Sequence, residues 1–152
     1  MELQDEIRIE APRDKVYRAL NDPEVLQKCI PGCEELIKTS DTELEAKVVL
    51  KIGPVKARFS GKVHLDPSQA PERFSLTGEG NGGVAGFAKG GANVELGEDG
   101  QATILRYEAK ADIGGKLAQL GSRLVVSTSK KLAASFFERF AEIMSQGASA
   151  TS

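Results

Sequence analysis

The sequence is poor in the residue types from which most catalytic and metal sites are built. It contains no tryptophan, one histidine, two cysteines and only 5% aromatic residues. The histidine, His64, lies far along the chain from Cys29 and Cys33, so a zinc site would lack ligands. No Ser/His/Asp arrangement can be built around one histidine whose strand position faces outward. We therefore predict no catalytic residue, no metal ligand and no cofactor.

Further absences narrow the class of partner and the compartment. The formal net charge is −2, whereas a protein that binds nucleic acid needs a concentrated positive surface. No apolar run reaches the ~20 residues that span a bilayer. The N-terminus is acidic and alternating, unlike a signal peptide. We therefore expect no nucleic-acid partner and a cytoplasmic protein. Cys29 and Cys33 are expected to be thiols, with a redox role as the minor alternative.

What remains is the composition of one globular domain. Hydrophobic residues make up 40% and charged residues 28% of the 152 residues, which is enough to form a core. Strand-like alternation opens the chain at residues 2–10. A short helix is predicted at residues 13–20. A second begins at Pro23 with Asp22 as its N-cap, and Pro31-Gly32 ends it.

About six strands follow, joined by short turns. The clearest hairpin has residues 44–52 and 55–65 as strands and Gly53-Pro54 as its turn. Residues 86–96 and 102–112 form the last pair. A helix with a one-sided apolar stripe is then predicted over residues 116–146, about 45 Å long. Asp112 is interpreted as its cap or as a turn residue.

This order, β-α-α-β(about six)-α, predicts an α+β fold in which a curved antiparallel sheet wraps around the long helix. We expect one domain over residues 1–146 and a flexible tail over residues 147–152. Small residues occupy many inward strand positions: Ala46, Ala57, Gly61, Gly78, Gly80, Gly90, Ala92, Ala109 and Ala111. Because glycine packs nothing in a strand, these positions indicate either room for a ligand or bulges that curve the sheet.

Three stretches resemble a known family. They are CIPGC at residues 29–33, KIGPV at 51–55 with FSG at 59–61, and ADIGGKLAQLG at 111–121. Together with the element order, they are similar to the CoxG-like family of carbon monoxide dehydrogenase subunits. That family belongs to the START/Bet v 1-like (SRPBCC) superfamily, so the resemblance implies the helix-grip fold.

The resemblance also implies an accessory role rather than catalysis. Members of this family are associated with molybdenum hydroxylases of the carbon monoxide dehydrogenase type. They are implicated in bringing the enzyme to the inner face of the cytoplasmic membrane and in handling a lipophilic quinone. Some members carry an apolar C-terminal anchor. This sequence ends in small polar residues, so a transient membrane contact is the expectation.

A lipophilic small molecule is the ligand expected in an apolar cavity between sheet and helix. Aromatic rings suit a flat ligand such as a quinone, although the same side chains could simply fill the core. The turn at Cys29, Ile30 and Pro31 is interpreted as a gate at the cavity mouth or as a structural turn. The predicted lining residues are Phe59, Phe74, Phe87, Tyr107, Leu117, Leu120, Leu124 and Phe136.

Two further segments are candidates for contact with other molecules. The glycine-rich residues 78–91 form a candidate lid that could also dip into a membrane surface. Residues 46–66 carry five Lys or Arg against one Asp, which favours either an anionic partner or a solvated outer sheet face. Three functions stay open: a lipophilic-ligand binding protein, an enzyme of the polyketide cyclase or hydrolase type, and a protein-binding module.

Overall fold

The computed structural model describes the backbone of residues 1–150 and the side chains of residues 1–146. Its fold is the predicted α+β helix-grip arrangement. Seven antiparallel strands form one sheet in the order β1-β7-β6-β5-β4-β3-β2. The strands are β1 (Glu2–Ile9), β2 (Cys33–Ser40), β3 (Glu43–Ile52), β4 (Val55–Asp66), β5 (Arg73–Asn81), β6 (Phe87–Asp99) and β7 (Ala102–Gly114).

Two short helices connect β1 to β2. They are α1 (Arg13–Leu20) and α2 (Pro23–Cys29). The predicted start of α2 is confirmed, since the Asp22 side chain accepts a hydrogen bond from the Glu24 N–H at 3.0 Å. Pro23 occupies the first helical position, where a missing N–H removes no helical bond. The local sequence therefore fixes how α2 enters the fold.

The β3–β4 hairpin also forms where the sequence predicts it. Ile52 pairs with Val55, and Gly53 takes a φ of 58°, a conformation that glycine adopts without steric cost. The prediction for Asp112 is wrong. This residue lies inside β7 and pairs with Lys89 of β6, because the last two strands run farther than their apolar alternation suggested.

The long C-terminal helix is interrupted near its start, which corrects the prediction of one helix from residue 116. A single turn, α3 (Lys116–Gln119), precedes α4 (Ser122–Ala150). Gly121 separates them with a φ of 92°, a left-handed conformation that ends a helix. At the standard rise, α4 is about 43 Å long. The predicted flexible tail, residues 147–152, lies outside the described side chains and stays a prediction.

The apolar core consists of two clusters at opposite ends of the sheet. We call the first the large cluster; its most deeply buried members are Ile9, Val16, Cys29, Leu105 and Phe140. The small cluster consists of Phe59, Ala85 and Leu117, with half-buried neighbours from β3, β4 and β7 and with Leu120, which follows α3. Between the two clusters lies the concave face of the sheet.

Candidate functional site

The middle of the concave face is rich in glycine and alanine. The strand register aligns Ala46, Gly61, Gly80 and Ala88 in one row across four strands. The next row contains Gly78, Gly90 and Ala111. A third contains Ala92 and Ala109. These nine residues, which we call the small-residue band, separate the two clusters.

The band is not covered as a packed core would be. All nine of its residues are half-buried, although they lie on the face that the long helix crosses. A Cβ atom added at Gly80 would have no other atom within 4 Å. One added at Gly61 would approach only backbone oxygens, the nearer at 3.6 Å. Open space therefore lies directly above this part of the band.

Gly90 has a different reason to be glycine. A Cβ atom there would collide with the backbone carbonyl of Lys110 on β7. This position needs glycine for a close approach of two strands. The two explanations offered by the sequence, ligand space and sheet geometry, therefore apply to different members of the same band.

Helix α4 contacts the rest of the protein at its first turn and again from its middle onward. At its start, a Cβ added at Gly53 would lie 2.9 Å from Leu124 Cδ2. At its middle, Phe137 stacks on Tyr107 with ring centroids 5.3 Å apart. The helical segment between these contacts carries Thr128 and Leu132, both half-buried. We assign this segment as the roof of the candidate cavity and the band as its floor.

The predicted lining residues divide between the two ends of this space. Phe59 and Leu117 belong to the small cluster, and Leu120 packs against it. Phe74 belongs to the large cluster, and Tyr107 and Phe136 pack against it. They form the end walls of the candidate cavity rather than its floor.

Phe87 does not line the concave face, which corrects its predicted role. Ala88 pairs with Gly80 on that face, so its neighbour Phe87 points to the outer side of the sheet. Its side chain covers Gly114, where any Cβ atom would collide with the ring. Phe87 is 51% exposed and is better placed to contact another molecule than an internal ligand.

The turn after α2 has a clear structural role. Gly32 has a φ of 76°, and a Cβ there would collide with the Val49 carbonyl. The Val49 N–H donates to the Gly32 carbonyl at 2.9 Å, which ties the turn to β3. Ile30 and Pro31 are half-buried beside it. A gate at this turn stays a prediction.

The two cysteines are free thiols in different surroundings. Cys29 is fully buried within the large cluster, and Cys33 is half-buried. Burial raises the pKa of the Cys29 thiol, although Arg139 and Lys28 oppose the shift. Burial also raises the pKa of Cys33. Both shifts favour the protonated thiol, which is the less nucleophilic form.

One polar pair on the concave face was not predicted from the sequence. Asp5 pairs with Tyr107 across β1 and β7, so both side chains lie on the same face. Burial, followed by the negative charge of Asp5, raises the pKa of the Tyr107 hydroxyl. The sequence does indicate this position of Asp5, because Asp5 alternates in phase with Leu3, Ile7 and Ile9 on the inward face of the first strand.

Neither a metal site nor a membrane-spanning helix is found in the part of the chain that the structure describes. Within it, no group of three or more His, Cys, Asp or Glu residues could hold a metal ion. None of its helices combines the length and apolar character that crossing a bilayer requires.

Comparison with solved structures supports the helix-grip fold. A conserved protein from Geobacillus kaustophilus is 26% identical, with a TM-score of 0.89 and 96% of each chain covered. An aromatase/cyclase from Streptomyces sp. R1128 is 9% identical, with a TM-score of 0.72, over 96% of this chain and 94% of its own. A STAR-related lipid transfer protein from Xanthomonas axonopodis is 19% identical, with a TM-score of 0.61, over 91% and 85%.

The sequence comparisons are more specific. No match to the chain was found among curated proteins. The family model for CoxG, a subunit of carbon monoxide dehydrogenase, matches residues 6–145. This range includes both clusters, the small-residue band and nearly all of the long helix. The chain therefore belongs to the CoxG family of carbon monoxide dehydrogenase subunits.

Proposed function

We propose that this protein is a non-catalytic accessory protein that binds a lipophilic small molecule between the small-residue band and α4. The observation that carries the proposal is the open space above Gly80, where no atom lies within 4 Å of an added Cβ. Glycine in a strand interior weakens the strand. A row that keeps glycine at Gly61 and Gly80 without a steric need therefore serves something other than stability.

The walls indicate the chemistry of the ligand. The floor offers methyl groups and backbone, and one end wall offers the Phe59 ring. At the other end, the half-buried Tyr107 hydroxyl could donate a hydrogen bond to a carbonyl oxygen. A flat, apolar molecule with a carbonyl group, such as a quinone, fits these groups. The solved lipid transfer protein of similar fold supports the same ligand class.

Family membership supports a partner enzyme. We propose a molybdenum hydroxylase of the carbon monoxide dehydrogenase type, with the accessory protein acting beside it on the cytoplasmic side of the membrane. The partner would be found by affinity purification from the source organism. A molybdenum-containing enzyme should be recovered at stoichiometric levels with the tagged full chain.

Ligand binding can be tested by filling the space. Gly80→Leu places a side chain directly above the band and should lower quinone affinity at least about tenfold, since it occupies the ligand's volume. Gly97→Leu is the matched control, because Gly97 lies on the outer face of β6 and a Cβ there meets only the Ile104 carbonyl at 3.7 Å. Native mass spectrometry with short-chain quinones and extracted lipids measures the binding.

The expected results of these measurements differ between the variants. Wild-type protein and Gly97→Leu should bind, and Gly80→Leu should melt normally without binding. A wild-type protein that takes up neither quinones nor lipids, or a Gly80→Leu variant that binds like the wild type, would contradict the proposal.

The Asp5–Tyr107 pair supports a second candidate, an enzyme of the cyclase type. These are ionisable groups on the concave face, and an aromatase/cyclase shares the fold. This candidate predicts that Tyr107→Phe and Asp5→Asn abolish turnover of a bound aromatic polyketide while leaving its binding intact. If the protein is instead a non-catalytic binding protein, no turnover should be detected in the wild type.

A further inference from the structure

Asp5 places a carboxylate at a strand position whose neighbours are apolar. The other inward side chains of β1 are aliphatic: Leu3, Ile7 and Ile9. Across the sheet, the row that begins at Asp5 continues through Tyr107, Val94 and Phe74. None of these side chains offers a hydrogen-bond donor except the Tyr107 hydroxyl. Packing therefore does not explain an acidic residue at this position.

The Asp5–Tyr107 pair borders the small-residue band. On β7, Tyr107 precedes Ala109 of the band by two residues, and positions two apart on a strand share a face. The Tyr107 ring is half-buried and stacks on Phe137 of α4, whereas Asp5 is exposed on the edge strand β1. A ligand that lies on the band therefore has one end beside Tyr107 and, at the rim of the space, Asp5.

The two polar groups have complementary hydrogen-bonding capacities. Asp5 Oδ1 accepts the Glu6 N–H at 2.7 Å, and among the described side chains no Lys, Arg or His forms an ion pair with Asp5. A carboxylate has about four acceptor sites and no donor, so Asp5 can still accept. Burial and then the Asp5 charge raise the pKa of the Tyr107 hydroxyl, which keeps the hydroxyl protonated and able to donate.

We propose that Asp5 makes the candidate cavity selective for ligands whose polar end carries a hydroxyl group, and therefore for the hydroquinone form of a quinone over its oxidised form. A ligand hydroxyl beside the pair accepts from the Tyr107 O–H and donates its own hydrogen to the Asp5 carboxylate. A ligand carbonyl also accepts from Tyr107, but it turns a lone pair toward a carboxylate that has no hydrogen to give. The hydrogen bond to a charged acceptor favours the hydroxyl, and repulsion disfavours the carbonyl.

This inference rests on the proposed function, because it concerns the selectivity of the same cavity. The test compares the affinities of a naphthoquinone and its hydroquinone, measured by anaerobic equilibrium dialysis of the full chain. The wild type should bind the hydroquinone about fivefold more tightly, as one additional hydrogen bond allows. Asp5→Asn should weaken hydroquinone binding and strengthen quinone binding, since the amide can donate to a carbonyl. Opposite changes for two ligands of the same shape are not produced by a loss of structure.

Two further variants serve as controls. Glu6→Gln removes the same charge one residue away, but Glu6 lies on the outer face and pairs with Arg106 at 2.8 Å, so the preference should stay at the wild-type value. Tyr107→Phe removes a donor that both ligand forms use, so it should weaken both and leave the preference in place. A naphthol and its methyl ether repeat the comparison with ligands that do not change oxidation state.

An inward charge on an edge strand also has a structural effect, since it keeps the strand from pairing with another chain. A charge of either sign gives this protection, whereas selectivity for a hydroxyl requires an acceptor. Asp5→Lys separates the two roles. It keeps a charge at the edge but should favour the quinone, because an ammonium group donates hydrogen bonds and accepts none.

The outcomes distinguish this inference from the proposed function. If the wild type binds both forms but prefers the quinone, or if Asp5→Asn and Asp5→Lys keep the wild-type preference, the inference is wrong and the binding function stands. An equal change of preference in Glu6→Gln also overturns the inference, since it would show a general effect of charge. If the wild type binds neither form nor any lipid, both proposals fail together.

Discussion

At one end of the sheet, Phe140, Ile9 and Leu105 are almost completely buried; at the other, only Phe59, Ala85 and Leu117 form a cluster. The turns differ in charge as well. Residues 10–14, 41–43, 66–72 and 95–101, at the large-cluster end, carry nine acidic side chains and one basic one, Arg13. The opposite end, formed by residues 51–56, 82–87 and 113–123, carries four basic side chains and no acidic one; we call it the cationic end. One end thus contains most of the packed core, and the other presents an exposed positive surface.

The charges of the two ends also differ in how they are used. At the large-cluster end, Arg13 pairs with Glu98 at 3.3 Å and Arg73 with Glu95 at 3.7 Å, while Arg8 bonds to Asp99. Exposed pairs of this kind add little stability, at most about 1 kcal/mol each. Among the described side chains, none forms such a pair with Lys51, Lys56, Lys116 or Arg123. The difference separates charges engaged in local surface pairing from charges free to bind.

The largest expected effect on stability comes from a substitution that breaks the packing at one end only. Phe140→Ala removes a fully buried ring that stacks on Phe136 with centroids 6.1 Å apart, and it should destabilise the fold by about 4 kcal/mol. Val84→Ala, at the exposed end, should change stability by no more than about 0.5 kcal/mol. Urea unfolding measures both, and similar losses would show that the ends do not differ in packing.

The next effect separates two glycines of the band. Gly90→Ala forces a methyl group onto the Lys110 carbonyl and should destabilise by about 2 kcal/mol or more. Gly80→Ala enters open space and restricts the unfolded chain, so it should stabilise by about 0.5 kcal/mol. Thermal melts of the two variants compare them directly. A loss of stability at Gly80 would mean that the space above the band is filled.

A smaller effect is expected from a buried hydrogen bond at the large-cluster end. Thr103 is fully buried, and its Oγ1 donates to the Ala11 carbonyl at 2.8 Å. Thr103→Val keeps the shape but leaves that carbonyl without its donor, which costs about 1–2 kcal/mol. Thr103→Ser, which keeps the hydroxyl, is the control and should lose less. Chemical unfolding of both variants decides whether the bond or the packing matters.

The smallest effect is a dependence of stability on alkaline pH. Burial raises the pKa of Cys29 above the ordinary thiol value of 9.0, and burial with the charge of Asp5 raises that of Tyr107. The folded protein therefore holds these protons more tightly than the unfolded chain. The stabilisation is fully present below the unfolded pKa values and is lost as pH rises through the folded ones. Unfolding free energies at increasing pH should fall, with a shallower slope in Cys29→Ala and Tyr107→Phe. Identical slopes in wild type and both variants would refute the linkage.

Local signals in the sequence were enough for most of the fold. Asp22-Pro23 and Gly53-Pro54 act within a few residues, so the α2 cap and the central hairpin were predictable. Gly121 was visible too, but apolar periodicity continues across it from Leu117 to Leu124. That periodicity favoured one continuous helix. The left-handed conformation of Gly121 depends on its backbone dihedral angles, which the pattern of apolar residues does not reveal.

The site was harder to predict than the fold. Phe87 begins a glycine-rich stretch with no clear alternation, so only pairing with β5 shows which way it faces. Which glycines border open space depends on the distance to neighbouring strands, and this separates Gly80 from Gly90. The charge of the cationic end arises from three segments that are distant in sequence and come together only in the folded protein. The sequence contains these residues but not their neighbourhood.

The small-residue band has a consequence for how this family can diversify. The two clusters, on either side of the band, hold the sheet and the helix together. A larger side chain at Gly61 or Gly80 should therefore change the free energy of unfolding little. Relatives could exchange glycine, alanine and valine there and so change the space above the band one methyl group at a time. The same scaffold would then accept molecules of different size, and selectivity could evolve without a compensating change in the core.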